Sequence, residues 1–214
     1  MNDCPSIAEA LLLLAGAGWP LPDSCKEKLG EYVRLIEAFN PALHLTSAGD
    51  RKRLALHTVD SLSLLPWLSR GEDAYLLDIG SGGGFPAIPL LLCGQGKGRL
   101  VERSGKKCDF LRSVVSRLAL TGVEVIEGDF PRVGGIVDAN CVTARAVERP
   151  EKILQAVLKH LPEEVLFLCQ MGGDVPSDMF HVEHVDDEWG RRGWRRGELR
   201  IVRRIVPRGT LPTL

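Results

Sequence analysis

The sequence predicts an α/β fold, in which a mostly parallel sheet wrapped by helices is preceded by a helical extension and closed by an antiparallel hairpin. Three observations lead to it. From Ala74 onward, short apolar runs alternate with helix-length amphipathic segments, as in parallel strands joined by crossover helices. The first 70 residues carry helical patterns only. After Met171-Gly172-Gly173, two apolar runs follow one another without a helix-length period between them. A chain of 214 residues has room for one full domain with an appendage, divided on this reading into residues 1–70 and 71–214.

Taken in order, Ser6-x-x-Glu9 reads as a capping box that opens a helix to about Ala17. Its Leu11–Ala17 stretch lacks the preceding Lys or Arg of a secretory leader. Ser24-x-x-Glu27 caps a second helix, in which Leu29, Tyr32, Val33, Ile36 and Phe39 repeat at helical spacing, and Pro41 stops it. Asp50 caps a third helix through Leu62 or beyond, with Leu54, Thr58, Ser61 and Leu65 along one stripe. Arg51, Lys52 and Arg53 in its first turn oppose the helix dipole, so they read as serving an external partner. Strands are expected at 75–79, 99–102, 123–127, 140–144 and 165–169, with helices at 86–93, 105–119 and 150–160. Within 105–119, Phe110, Leu111, Val114, Val115 and Leu118 form a 3.6-residue stripe. Residues 180–185 and 199–206 supply the closing hairpin.

Composition narrows the class. With 44% hydrophobic and 26% charged residues, disorder and collagen-like structure are excluded. The net charge of −1 hides an asymmetry: residues 191–208 hold eight Arg and one Glu, so the remainder is markedly acidic and the basic charge is local. Six cysteines lie scattered, without CxxC or a Cys/His pair at zinc spacing. They read as small buried hydrophobes in a reducing cytosol, not as a metal site or a disulfide framework. No uncharged apolar run reaches about 18 residues, so a cytoplasmic protein without a membrane span is expected.

The strongest chemical signal is Asp78-Ile-Gly80-Ser-Gly82-Gly-Gly84-Phe85-Pro86, placed after a strand and before a helix. Glycines there let backbone approach a ligand where a Cβ would clash. A dinucleotide fingerprint needs a small residue where Phe85 stands, and no Walker-type lysine is present. A glycine loop without a pyrophosphate cradle suits S-adenosylmethionine, which carries no phosphate. The second strand should then end in an acid for the ribose hydroxyls, and Glu102 closes it. After the third strand, Asp129 and Phe130 either reach the adenine or form only a turn acid and a capping aromatic.

These residues resemble the class I S-adenosylmethionine-dependent methyltransferases and, more narrowly, the ribosomal RNA small subunit methyltransferase G family. The resemblance runs from about Leu29 to Met171. It rests on Phe39-Asn40 through Leu45-Thr46, His57-Thr-Val-Asp60-Ser61-Leu62, the glycine loop with Phe85, Pro86 and Pro89, Gly105-Lys106-Lys107 with Phe110-Leu111-Arg112, and Thr143-Ala-Arg145-Ala146. Departures are Phe130-Pro131 in place of an alanine-glutamate pair, His44 in place of asparagine, and Glu102 in place of aspartate. The resemblance implies methylation of N7 of a guanine in the 530 loop of 16S ribosomal RNA. Naked RNA, a precursor particle and the small ribosomal subunit stay open as the substrate form, and a monomer without a metal is the separate expectation. Another RNA site, a small molecule, or a non-catalytic ribosome-assembly module are the alternatives.

Guanine N7 offers an in-plane lone pair and no proton, so no general base is required, and alignment becomes the main catalytic device. Consistently, no NPPY or DPPY stretch follows the fourth strand, and Cys141 sits in an apolar run where a thiol is more naturally core than nucleophile. The cofactor-binding candidates are Asp78, Gly80, Gly82, Gly84, Phe85, Glu102, Asp129, Phe130, Pro131 and Arg145. Arg145 is also the one catalytic candidate, able to hold the methionine carboxylate, the base or a phosphate. Candidate RNA contacts are Arg51, Lys52, Arg53, Lys106, Lys107, Arg149, Arg191, Arg192, Arg195 and Arg196, with Trp194 either stacking on a base or packing beside the last strand. His57 and Asp60 read as ordering the N-terminal helices.

Overall fold

The computed structural model describes residues 7–46, 51–68, 75–94, 96–133, 139–145, 150–160, 166–170, 180–184, 188–191 and 199–204. Helices α1 (Ile7–Gly16), α2 (Asp23–Leu43) and α3 (Arg51–Leu62) come first. Strand β1 (Tyr75–Ile79), helix α4 (Ala87–Gly94), strand β2 (Lys97–Glu102), helix α5 (Gly105–Arg117) and strand β3 (Val123–Glu127) follow. Next are β4 (Cys141–Arg145), α6 (Pro150–His160), β5 (Leu166–Gln170), β6 (Phe180–His184), a short α7 (Glu188–Arg191) and β7 (Leu199–Arg204).

The strands form one sheet in the order β3-β2-β1-β4-β5-β7-β6. The pairs from β3 to β5 are parallel, while β7 runs antiparallel to both β5 and β6. The expected hairpin therefore closes the sheet, though its second strand, not its first, is the one that joins β5. Strand order reverses between β1 and β4, the place where ligands enter such sheets at the carboxyl edge.

Several expectations at the N-terminal helices are corrected. The α2 N-cap is Pro22 in extended conformation with no side-chain capping bond, so the Ser24-Glu27 box is not used. Asp23 instead places an acid in the first turn, where the dipole favours it. Pro41 does not stop α2, because a proline this close to the end removes only one internal hydrogen bond. The helix ends at His44, which adopts φ 48 and donates its N–H to Asn40 O at 2.9 Å, while the Asn40 side chain accepts from Thr46 N at 2.9 Å. Ser6 and Asp50, the other expected caps, lie outside the described residues. The segment between the hairpin strands, expected to hold no helix, contains α7, whose Trp189 is buried.

Side-chain alternation sorts the core. On one face Leu76, Leu100 and Cys141 pack with Leu29, Tyr32 and Ile36 of α2, Leu54, Val59 and Leu62 of α3, and the inner sides of α4 and α5. On the other, Leu77, Ile79, Val101 and Val142 pack with Val157 of α6. Because α4 lies between the sheet and the N-terminal helices, Ala87 through Cys93 are all buried, which accounts for a helix apolar on every side. Thr58, Ser61 and Ser63 are buried beside them and return their hydroxyl hydrogens to Leu54 O, His57 O and Asp60 O. Cys25, Cys93, Cys108 and Cys141 are free and buried, as core residues.

Gly84 shows how closely this packing meets the loop. Its φ is +98, and a Cβ there would stand 2.6 Å from Ile88 Cγ1. Gly84→Ala is therefore expected to lower stability by about 2–3 kcal/mol, from backbone strain and overpacking together, measured by urea unfolding.

Candidate active site

Asp78 sits at the end of β1, level with Thr143 of β4 and Leu100 of β2. By the same alternation Glu102, two residues past Leu100, and Arg145, two past Thr143, project to the same face as Asp78. Four polar side chains thus converge at the carboxyl edge, on the face that the N-terminal helices cover.

Each is engaged. Thr143 Oγ1 donates to Asp78 Oδ1 at 2.6 Å. The second oxygen, Asp78 Oδ2, is buried and accepts no hydrogen bond from the described residues. Burial is the largest influence on this carboxyl and, with a smaller push from the Glu102 charge, raises its pKa from 3.8 to about 6, against the Thr143 hydroxyl, the nearby Ser81 hydroxyl and the Arg145 charge. Glu102 accepts from Gly82 N at 2.8 Å through Oε2 and from Ser104 N at 2.9 Å through Oε1, tying the glycine loop to the start of α5. Tyr32 of α2 donates to Gly83 O at 2.9 Å, and its burial holds the phenol protonated by raising its pKa. Gly80, Gly82 and Gly84 all adopt positive φ, so the loop follows a path that L side chains resist. Gly84 and Gly83 approach protein atoms at under 3.3 Å from a hypothetical Cβ, whereas the nearest atom to one at Gly82 is 3.8 Å away. Backbone packing therefore uses Gly83 and Gly84, and space remains at Gly82.

Arg145 forms the centre of a second cluster. Its Nη1 donates to Asp60 Oδ2 at 3.1 Å and its Nη2 to His57 Nδ1 at 2.8 Å, which makes that ring nitrogen the acceptor. The Asp60 side chain is fully buried and that of Arg145 is 15% exposed, so this is an interior ion pair. The guanidinium lies 5.2 Å over the Phe85 ring, which also meets Tyr32 at 5.1 Å and His57 at 5.6 Å. His57 and Asp60, expected to order the N-terminal helices, tie α3 to Arg145 of β4.

The remaining candidates are less gathered. Phe85 is buried and turned toward the N-terminal helices. Phe130 is buried on the opposite face of the sheet, with its ring 6.3 Å from His160 and edge-on to it. Asp129 and Pro131 beside it are exposed. Lys106 is exposed and Lys107 half-buried in the first turn of α5. Arg191 is exposed at the end of α7, and residues 51–53 begin α3. Arg149, Arg192, Trp194, Arg195 and Arg196 lie outside the described residues. Sequence reasoning missed Tyr32 as a loop-holding residue, because it reads there as one more core position of an amphipathic helix. Among the described residues no His/Cys/Asp/Glu cluster could hold a metal, and no helix is long and apolar enough to cross a membrane.

Comparison with known proteins agrees with this geometry. The family model for rRNA small subunit methyltransferase G matches residues 25–183. Ribosomal RNA small subunit methyltransferase G of Sorangium cellulosum is 35% identical over 180 residues, covering 80% of this chain and 74% of that protein. The protein of that name from Shigella dysenteriae is 31% identical over 175 residues, covering 81% and 83%. With that from Marinobacter nauticus the identity is 38% over 117 residues, so the match spans 53% of that relative's length. Among solved structures, an RNA methyltransferase from Salinibacter ruber in complex with S-adenosyl-L-homocysteine gives a TM-score of 0.53 at 20% identity, covering 72% of this chain and 94% of that one. MtNAS in complex with MTA and tNA gives 0.59 at 17% identity, covering 93% and 75%. The fold is that of the S-adenosylmethionine-dependent methyltransferases, as expected.

The raised Asp78 pKa has a consequence for stability. The native state binds more protons than the unfolded chain between pH 3.8 and about 6, so this carboxyl costs increasing stability as pH rises through that window and a constant amount above it. Asp78→Asn is expected to stabilise the fold at pH 7 by about 2 kcal/mol and to show no such gain at pH 4, read from denaturant midpoints at the two pH values.

Proposed function

Because the chain belongs to the ribosomal RNA small subunit methyltransferase G family, we propose that it transfers a methyl group from S-adenosylmethionine to N7 of a guanine in the 530 loop of bacterial 16S ribosomal RNA, in the cytoplasm. The observation that carries this reading is the buried Asp78 Oδ2, which has no hydrogen-bond partner among the described residues, beside a glycine loop at the sheet's switch point. An orphaned buried acceptor is costly and calls for a donor. The ammonium of an amino-acid moiety answers that need, and a phosphate does not.

The donor set fits this cofactor. Asp78 would accept from its ammonium, the open side of Gly82 would admit it against the backbone, and Glu102 would accept from ribose hydroxyls with the lone pairs that its two amide contacts leave. Gly80 belongs to the same cradle. Asp129, exposed after β3, supports an adenine contact, with Pro131 beside it and Phe130 anchoring the turn from below. Gly84 and Phe85 act through the shape of the loop. When bound, S-adenosylmethionine supplies an electrophilic methyl group on a sulfonium centre.

For the acceptor, a nitrogen without a proton suits what this chain offers. The Cys141 thiol is buried and its pKa pushed up by desolvation, so it supplies no thiolate for attack on a ring carbon. Arg145 is held by Asp60, which offsets its charge, and by His57, which accepts its second hydrogen bond, and this suits it to positioning a ligand rather than moving a proton. The RNA grip falls to Lys106, Lys107, Arg191 and the basic start of α3, with Arg149, Arg192, Arg195 and Arg196 extending it.

Two measurements test this. Methyl transfer from labelled S-adenosylmethionine to isolated 16S ribosomal RNA and to whole small subunits, followed by cleavage selective for N7-methylguanosine, is expected to mark a single guanine in the 530 loop; label elsewhere would overturn the substrate. Calorimetry is expected to show cofactor affinity falling up to tenfold per pH unit below about 6 as Asp78 takes up a proton, and lost in Gly82→Val, whose φ of +56 also costs the loop about 1–3 kcal/mol of stability, read separately by urea unfolding. A flat profile between pH 5 and 8 would remove Asp78 from the site.

A further inference from the structure

Two large hydrophobic side chains stand out as exposed among the described residues, Leu12 at 73% and Phe39 at 44%. They sit in different company. Helix α1, which bears Leu12, carries Glu9 and no basic residue. Phe39 lies near the end of α2, where its ring packs on Phe110 of α5 with centroids 5.6 Å apart.

That contact locates it. At the other end of the pair, Arg117 Nε donates to Glu31 Oε1 at 2.7 Å. Residue numbers rise along α2 as they fall along α5, so the helices run antiparallel and the last turns of α2 meet the first turn of α5. Lys106 and Lys107 lie four and three residues before Phe110, on the helix face that neighbours it. Two acids stand at this end with the lysines: Asp109 is engaged by Arg112 at 2.9 Å, and the Glu127 carboxylate lies beside Gly105, 3.0 Å from a Cβ placed there.

The same end borders the cofactor loop. Helix α5 begins three residues after Glu102, at the carboxyl edge of β2. The stretch after α2 rests on the loop, since a Cβ at Gly83 would stand 3.2 Å from Leu45 O. A half-exposed aromatic, two lysines and the mouth of the site therefore share one rim.

We infer that Phe39, with Lys106 and Lys107, is a docking platform on which an unstacked base of the ribosomal RNA lies while the lysines hold its phosphates. An aromatic face takes any base, and adjacent cations fix the backbone that carries it. The base is a neighbour of the target guanine, because the platform lies on the rim rather than in the cradle. This rests on ribosomal RNA being the substrate.

The test measures binding of a fluorescein-labelled 530-loop RNA hairpin by anisotropy across a salt series, with cofactor affinity by calorimetry as the control for an intact fold. Phe39→Leu keeps an apolar side chain on Phe110 and removes the ring; it is expected to weaken RNA binding about tenfold with an unchanged salt slope and unchanged cofactor affinity. Phe39→Trp is expected to retain affinity, with its added fluorescence quenched by the RNA. Lys106→Gln is expected to reduce the salt slope by about one. Wild-type RNA affinity in Phe39→Leu would overturn the platform while leaving the substrate standing. A loss seen only with assembled subunits would also overturn it, in favour of a protein contact. Wild-type protein that binds no RNA and methylates none would bring down the substrate reading and the platform together.

Discussion

Side chains alternate between the faces of a strand, and in β1, β2 and β4 that alternation puts Asp78, Glu102, Thr143 and Arg145 on the face covered by the N-terminal helices. A one-residue slip in any of the three strands would send its polar residue to the α6 side and an aliphatic one into the site. Register is thus the constraint on which the chemistry depends. It also explains the protonation behaviour of Asp78. The carboxyl is desolvated because α2, α3 and α4 close over its face of the sheet, and it keeps one satisfied oxygen because Thr143 stands directly beside it.

The N-terminal helices shape the loop from outside. Tyr32 holds the Gly83 carbonyl, Leu45 lies against Gly83, and Asp60 and His57 hold Arg145 above the Phe85 ring. Each tether joins a residue of the first 70 to the carboxyl edge of the sheet. Removing one member of the buried pair leaves the other charge without its partner in the interior, a far larger penalty than loss of a surface pair. The helices consequently fix the rotamers of the site as well as burying its core.

Much of this was legible in the sequence. Strands 75–79 and 123–127 and helix 150–160 fall where apolar runs and helical period put them, because alternation between buried strands and amphipathic helices is written locally. The glycine loop was equally plain, since three glycines that must adopt positive φ leave a mark no side chain can replace. What escaped was decided at long range or by small energies. Asp60 and Arg145 are 85 residues apart, and nothing local pairs them. Phe130 and Phe85 are both aromatics next to proline in loops at strand ends, yet they enter opposite faces of the sheet, a choice set by the strands before them. At Pro41 a strong local rule met a weak local cost: one lost hydrogen bond in a final turn did not outweigh the packing of a helix already anchored by Leu29, Tyr32, Val33 and Ile36.

A reaction at a nitrogen without a proton asks nothing of a base, and the titratable groups of this site are already committed to holding. Thr143 engages Asp78, two backbone amides engage Glu102, Gly83 engages the Tyr32 phenol, and Asp60 with His57 engages Arg145. Such a site can act by keeping two reactants aligned, which converts a collision between them into a step within one assembly. On the proposed reaction it would also tolerate the positive charge that grows on the base. Asp60 and Arg145 together present little net charge, and the Glu102 carboxylate lies on the same side of the sheet, so on the proposed reaction the field at the carboxyl edge would not oppose the cation forming on the base. The buried Asp78 carboxylate that weakens the fold above pH 6 is the one that, on the proposed reading, would receive the cofactor's ammonium, a local cost to stability placed where that function would use it.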